Sequence, residues 1–387
     1  MTKLVVLAAV AGSVIAPFEA HARSDQKMTD ASADLLPLAV TNGKTMDMEA
    51  ADLDGDGFAD LVIAVEFGQN AVLMWRDGRY VHAVDALPQG IRRDSEDIAI
   101  ADFDGDGDLD IAIAVEDDVT NELYLNDGGG VFTDATSRLP VTGTSNAVIA
   151  IDADLDGDQD LIFGNKGVNF LLRNDGNAGF SYDPEALPQQ NDATQDLEAG
   201  DIDGDGDLDL VVGNENNNRV LINDGSGNFT DNTDAAIGAR TAEETREADL
   251  GDIDGDGDLD IVFANVGWAQ FPPGDKILIN DGTGVFADES VSRIPFINEF
   301  SLDADLADID NDGDLDIITA RIAGGLDRPA TVFINDGEGR FTDESSTYIP
   351  ESVKGIAIDV ELLDLNHDGT IDLYIGCHLP CDYVLLG

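Results

Sequence analysis

The sequence predicts an all-β protein, a seven-bladed β-propeller of four-stranded antiparallel blades with the last blade closed by the N-terminal strand. Three observations carry this reading. One acidic loop pattern recurs seven times at a near-constant interval, each interval holds four short strand signals, and the chain ends carry complementary parts of one repeat.

The acidic loops begin at Asp52, Asp102, Asp152, Asp201, Asp252, Asp308 and Asp364, at intervals of 50, 50, 49, 51, 56 and 56 residues. A fixed period of this size marks an array or a propeller. Each period opens with a lead-in strand such as Asp97-Ile98-Ala99-Ile100, and the acidic loop follows. Next comes an apolar β-rich run, as at 61–65, 111–115, 210–212 and 261–263, then a variable loop and a third strand such as 220–222. An Asn-Asp-Gly turn comes after it, at Asn126, Asn174, Asn223, Asn280 and Asn335, where Asp-Gly suits the positive φ angles of a tight hairpin. A fourth short strand carries Phe132, Phe180, Phe229, Phe286 or Phe341. Four strands per period fit a propeller blade. A β-helix coil would be far shorter, and helical repeats need a 3.6-residue periodicity that is missing here.

The last period stops after its third strand, 383–386. Near the N-terminus, Met28-Thr29-Asp30-Ala31-Ser32 followed by Leu36-Pro37 matches Phe132-Thr133-Asp134-Ala135-Thr136 followed by Leu139-Pro140. The N-terminal segment therefore supplies the strand that the C-terminus lacks. Such closure removes exposed sheet edges.

Residues 1–22 read as an export signal, with Lys3, an apolar stretch at 4–16, and Ala20-His21-Ala22 before Arg23. A membrane anchor is the alternative, but the apolar stretch is short for a bilayer and no later stretch is a transmembrane segment. This leaves 23–387 as the propeller and points to an exported protein, periplasmic or secreted. The chain has 387 residues, 20 Lys and Arg against 80 Asp and Glu, and a net charge of -60. That balance excludes nucleic acid as a partner, which needs a basic face, and disfavours anionic membrane surfaces. The only cysteines are Cys377 and Cys381, in CHLPC. Their spacing suits a bridged loop or free thiols. A redox pair or a metal site with His378 is the sharper alternative, and the spacing is not that of a c-type haem site.

The acidic loops are candidate metal sites. In the second, Asp102, Asp104 and Asp106 hold positions 1, 3 and 5, Gly107 holds 6 and Asp110 holds 9. Oxygens at 1, 3 and 5 converge if the backbone curls, glycine at 6 permits the turn, and position 9 closes the shell. The first loop has Asp52, Asp54, Asp56, Gly57 and Asp60, and the third Asp152, Asp154, Asp156, Gly157 and Asp160. The fourth has Asp201, Asp203, Asp205, Gly206 and Asp209, and the fifth Asp252, Asp254, Asp256, Gly257 and Asp260. The sixth has Asp308, Asp310, Asp312, Gly313 and Asp316, and the seventh Asp364, Asn366, Asp368, Gly369 and Asp372. Position 7 offers a backbone carbonyl, and its side chains Asp108, Asp158, Asp207, Asp258, Asp314 and Thr370 are counted with the candidate ligands. Hard oxygen donors in a flexible shell suit Ca²⁺, up to seven ions. These are not EF-hands, because position 12 is apolar, as at Ile63 and Ile113, where an EF-hand needs Glu, and a strand follows. Solvated acidic turns are the plainer alternative, but they do not account for glycine fixed at 6.

The D-x-D-x-D-G-x-x-D loops and the NDG-x-G-x-F-T-D turns resemble the FG-GAP and VCBS repeat family, seven-bladed propellers related to integrin α-chain heads. The resemblance spans residues 28–386. Literal Phe-Gly and Gly-Ala-Pro elements are not evident, so the chain is more similar to the VCBS-type branch. The resemblance implies the fold and calcium. It implies no single activity, since members include adhesion modules, envelope proteins and some polysaccharide lyases.

In a four-stranded meander the acidic loops and NDG turns share one face, so a protein or glycan ligand belongs on the opposite, variable-loop face. The loop 267–274, with Trp268 and Phe271 among prolines, is one candidate there. Eleven carboxylates lie five or three residues before the loops: Asp47, Glu49, Asp97, Asp196, Glu198, Glu247, Asp249, Asp303, Asp305, Asp359 and Glu361. They would line the central channel as a water-filled acidic funnel, or bind a further cation or a partner's basic group. Enzyme signatures are thin: G-x-S-x-G and H-E-x-x-H are missing, and His82, His367 and His378 have no evident catalytic setting. The reading is therefore a calcium-binding interaction module, with adhesion as the type of role. A lyase-like carbohydrate enzyme using Arg92, Arg93, Arg240 or Arg246, and a purely structural envelope component, are the alternatives.

Overall fold

The computed structural model describes residues 27–37, 44–116, 119–238, 243–267, 274–297, 300–322, 328–379 and 382–387. The expected export signal, the aromatic centre of the 267–274 loop, Arg240 and Cys381 lie outside them.

An N-terminal strand β1 (Thr29–Asp30) precedes the first blade, which is β2 (Thr45–Ala51), β3 (Asp60–Val65), β4 (Ala71–Arg76) and β5 (Arg79–His82) in an antiparallel meander. Five further blades repeat it. Their second strands are Asp110–Val115, Asp160–Gly167, Asp209–Asn214, Asp260–Asn265 and Asp316–Ile322. The third and fourth blades also share a short pairing, Lys166 with Ala193 and Gly167 with Asp192. The seventh blade is Ile356–Leu363, Asp372–Leu379 and Tyr383–Leu386, and β1 adds its fourth strand antiparallel, pairing Thr29 with Leu386 and Asp30 with Leu385. The ends of the chain meet on one sheet, as their sequence likeness predicts.

The second strand of each blade explains its unbroken apolar run. β3 is buried at every position because neighbouring blades cover both of its faces, so side chains pointing either way need to be apolar. The cores lie between blades. Val62 and Met74 of the first pack with Ile98, Ile111 and Tyr124 of the second. At the closing seam Leu61, Leu73 and Tyr80 pack with Leu365, Tyr374 and Val384, and Leu35 of a one-turn helix joins them. The fourth-strand phenylalanines Phe132, Phe180, Phe229, Phe286 and Phe341 are all buried.

The NDG turns differ from the tight hairpin expected. In the second blade Asp127 N donates to Val131 O at 3.1 Å, and the positive φ angles fall on Gly128 and Gly130 rather than on Asp127. Asn126 Oδ1 accepts from the N–H groups of Gly128 and Gly130, so the turn winds around the asparagine side chain. Only the first blade, where Asp77 and Gly78 both have positive φ, joins its last two strands by the two-residue hairpin that Asp-Gly favours.

Candidate metal centres and interaction faces

Each acidic loop curls through two left-handed residues, at positions 4 and 6. Position 4 is Gly55, Gly105, Leu155, Gly204, Gly255, Asn311 and His367 in turn, all with positive φ, and the position-6 glycines have positive φ throughout. The position-1 carboxylate holds the curl. Asp52 Oδ1 and Oδ2 accept from the N–H groups of Asp56 and Gly57, and Asp102, Asp152, Asp308 and Asp364 do the same in their loops. The position-5 carboxylate accepts from the N–H of position 7, as Asp106 does from Asp108 at 3.0 Å.

Position 9 joins the loop to the far end of its own blade. Asp110 Oδ2 accepts from Phe103 N at 2.9 Å and its Oδ1 from Asn126 N at 2.8 Å. Asp60, Asp209, Asp260, Asp316 and Asp372 repeat this double attachment. Burial dominates their acidity. It pushes Asp60 and Asp372 up to about 6, Asp110, Asp160, Asp209 and Asp260 up to about 7, and Asp316 up to about 8.

The position-3 carboxylates are different. Asp54, Asp104, Asp154, Asp203 and Asp254 each keep Oδ1 buried with no hydrogen-bond partner. In the first three loops, carboxylate oxygens of Asp52, Asp54 and Asp60, of Asp102, Asp104 and Asp110, and of Asp152, Asp154 and Asp156 lie within 4.8 Å of one another. A buried acceptor without a donor is costly, and a hard cation at the focus of the curl would supply the partner. The donor set, all oxygen and mostly carboxylate, fits Ca²⁺. The position-7 carboxylates lie beside the NDG turns: a Cβ on Gly128 would lie 2.5 Å from Asp108 Oδ2, and Asp158, Asp207, Asp258 and Asp314 crowd the glycines of their own NDG turns in the same way. Arginines reach three of the position-3 carboxylates, Arg76 to Asp54, Arg173 to Asp154 at 2.9 Å and Arg293 to Asp254 at 3.0 Å. In the seventh loop Asn366 Nδ2 donates to Asp368 at 3.1 Å. His367 packs edge-on against Phe58, ring centroids 4.6 Å apart, which ties this loop to the first.

Two inter-blade ties escaped sequence reasoning. The NDG asparagine is a strut. Asn223 Nδ2 donates to Leu208 O in its own loop and to Ala153 O in the loop of the preceding blade. Asn126, Asn174, Asn280 and Asn335 reach Leu53, Phe103, Ile202 and Ile253 in the same way. Where the ring closes, the Tyr80 hydroxyl takes this part and donates to Leu365 O at 3.2 Å. On the opposite side an Asn or Asp after six of the seven second strands meets a Ser or Thr of the next blade: Asn70 with Ser95, Asn121 with Ser145, Asn169 with Thr194, Asn218 with Thr245, Asp275 with Ser301, and Asp382 with Thr45 across the seam. The signal, Ser or Thr seven residues before the acidic loop, is present in six of seven repeats.

The channel carboxylates have a structural use. The innermost strand of a blade has no strand on its inner side, so its N–H groups need other acceptors. Asp97 Oδ2 accepts from Val148 N at 2.6 Å, Asp196 Oδ2 from Ala248 N at 3.0 Å, Asp303 Oδ2 from Val360 N at 2.5 Å and Asp305 Oδ2 from Leu362 N at 2.6 Å. Each bond runs to the following blade. Burial, reinforced by neighbouring carboxylates, pushes Glu49 up to about 8, and burial pushes Asp196 up to about 7.

On the variable-loop face a cavity of about 410 Å³ lies against the first blade and the segment that leads from it to the second, lined by Lys44, Phe67, Gln69, His82, Gln89 and Arg92 among others. Phe67 is 54% exposed at positive φ, with the Lys44 ammonium 5.5 Å from its ring centre. Of the other arginines named from sequence, Arg93 pairs with Glu122 at 2.7 Å and Arg246 with Glu244 at 2.7 Å. Cys377 is buried, and His378 lies 3.5 Å from Glu66. No helix among the described residues is long and apolar enough to cross a membrane.

A ring of four-stranded blades, each opened by the same acidic curl, defines a propeller of tandem repeats. Four overlapping matches to the FG-GAP-like repeat cover residues 52–113, 102–163, 152–212 and 201–263, more than half of the chain. The chain belongs to the FG-GAP-like repeat family. Each match starts on the first aspartate of one acidic loop and ends in the second strand of the next blade. Among solved structures the chain is similar to an Agrocybe aegerita lectin described as recognising non-reducing terminal N-acetylglucosamine, at 20% identity and a TM-score of 0.52 over 85% of this chain and 88% of that one. It is similar to YCF48 bound to D1 peptide, at 12% identity and a TM-score of 0.56 over 90% and 95%. It is also similar to BBS1N in complex with ARL6DN, at 12% identity and a TM-score of 0.54 over 93% and 97%. At these identities the likeness establishes the fold. No curated protein matches the chain.

Proposed function

We propose that residues 23–387 act outside the cytoplasm as a calcium-stabilised interaction module that takes a protein or glycan ligand on its variable-loop face. The contrast between the two faces carries this reading. The turn face is taken up by acidic curls, NDG turns and asparagine struts, while the opposite face, beside its own Asn–Ser and Asn–Thr ties, holds the cavity and an exposed aromatic held in a left-handed conformation, a backbone state that costs energy for phenylalanine. The lectin and the peptide- and protein-bound propellers show that this fold serves both ligand types in other proteins. Immobilised glycans and an envelope extract would be screened for retention of the wild type. Phe67→Ala and Gln89→Ala should lower retention about tenfold or more without changing the melting temperature, in line with the loss of a well-buried anchor. Unchanged retention would move the ligand off this cavity.

Calcium in the acidic loops is the second part of the proposal. The buried, unpartnered position-3 oxygens support it. Ions that bind only the folded ring stabilise it by mass action, so chelation should lower the melting temperature by about 10 °C or more if most loops fill. An unchanged melt would refute calcium as a structural ion. The presence of Arg92 and His82 in one cavity favours a second reading, a lyase-like enzyme on acidic polysaccharide. Release of unsaturated sugars, lost in Arg92→Ala, would establish it.

A further inference from the structure

The innermost strands of the first and seventh blades, β2 and Ile356–Leu363, come from opposite ends of the chain and face each other across the closing seam. β1 contributes only two residue pairs to that closure. At this junction the channel wall gathers Asp47 from one blade with Asp359 and Glu361 from the other, with carboxylate oxygens within 4.8 Å of one another. Elsewhere on the wall Asp97, Asp196, Asp303 and Asp305 each give Oδ2 to an N–H of the next blade. At the seam that pattern lapses at Asp359, which is 4% exposed and keeps Oδ2 buried with no hydrogen-bond partner.

The strongest charges acting on Asp359 are Asp303, Asp47, Asp382 and Glu49, and those acting on Glu361 are Asp305, Glu49, Asp359 and Asp303, all of them carboxylates. Two blades thus bring like charge together at the junction that has to hold the ring shut. Glycine at 376 leaves space beside the cluster, since a Cβ there would lie 2.7 Å from Asp359 Oδ2.

We propose that Asp47, Asp359 and Glu361 form a further cation site on the channel wall, separate from the acidic loops, whose ion locks the first blade to the seventh. The donors are hard carboxylate oxygens on two separate strands, with Glu49 close by. A set that spans two blades adapts to the long, irregular coordination distances of Ca²⁺ better than to the small octahedron of Mg²⁺. The ion offsets the repulsion across the seam and supplies Asp359 Oδ2 with the partner that backbone N–H groups supply elsewhere.

The experiment is anomalous diffraction from crystals of the mature chain soaked in strontium, paired with native mass spectrometry of the calcium-loaded protein. The expected result is a peak beside Asp47, Asp359 and Glu361, and one fewer calcium ion in Asp359→Asn than in wild type. If Asp359→Asn fails to fold, Glu361→Gln serves as the second variant with the same expected loss. Peaks in the acidic loops without one at the seam, or an unchanged ion count in a folded variant, would overturn the site and leave the loop reading standing. A seam peak beside empty loops would support the site and refute calcium in the loops.

Discussion

Leu155 occupies the left-handed position 4 of the third loop at φ 60, with a side chain 57% exposed. A residue with a Cβ is disfavoured there by roughly 1–2 kcal/mol, partly offset by the roughly 0.5–1 kcal/mol of extra entropy that glycine loses on folding. Leu155→Gly should therefore stabilise the protein by up to about 1 kcal/mol, read as a higher urea midpoint with an unchanged slope. A lower midpoint would show that the leucine makes a contact that outweighs its backbone. Position 6 was legible in the sequence because it is glycine in every repeat. Position 4 was not, because Leu155, Asn311 and His367 break the glycine pattern although their backbones follow it.

At the level of the blade, the asparagine struts and the position-9 aspartates turn each loop into a joint between neighbours. Asn223→Ala removes the donor to Ala153 O and Leu208 O and the acceptor for the N–H groups of Gly225 and Gly227. Groups left buried without partners should make this loss about 1–3 kcal/mol. Asn223→Asp should be no better, since it restores the acceptor but not the donor. Tyr80→Phe, which leaves Leu365 O without its hydroxyl, should cost about 1 kcal/mol by the same measurement. Equal urea midpoints for wild type and Asn223→Ala would remove the strut from the account. The strands, their order and the shared last blade were legible because burial on both faces writes itself as apolar runs. The struts were not. Asn126 and Leu53 are 73 residues apart, and the bond between them follows only once the blades are set side by side. The channel acids were located correctly from their position before each loop. Their use as acceptors for the next blade depends on that same neighbour geometry.

For the whole ring, the question is how a chain of net charge -60 keeps so many carboxylates inside. Without a cation, part of the answer is protons. Burial, with Asp94, Glu116 and Glu66 nearby, pushes Glu96 up to about 9 against the Arg246 charge, and burial pushes Asp196 up to about 7. Between the ordinary carboxylate range and these values the folded ring holds protons that the unfolded chain has released. The stability these groups confer is complete below about pH 4 and is lost as pH rises through about 7 and then about 9. Hydrogen bonds hold Asp224 below its ordinary value, and Asp288 and Asp368 are held down by hydrogen bonds that outweigh their burial. Their contribution has the opposite sign and is lost only in stronger acid, outside this window. In chelator, then, the melting temperature should fall steadily from pH 6 to pH 9. Glu96→Gln keeps the shape of the side chain without its charge, so it should flatten the upper part of that slope and melt higher than wild type at pH 9, while matching it at pH 6. Calorimetry across this range decides the matter: a melting temperature that is flat or rises with pH would mean that the ring tolerates these charges by some means other than protonation.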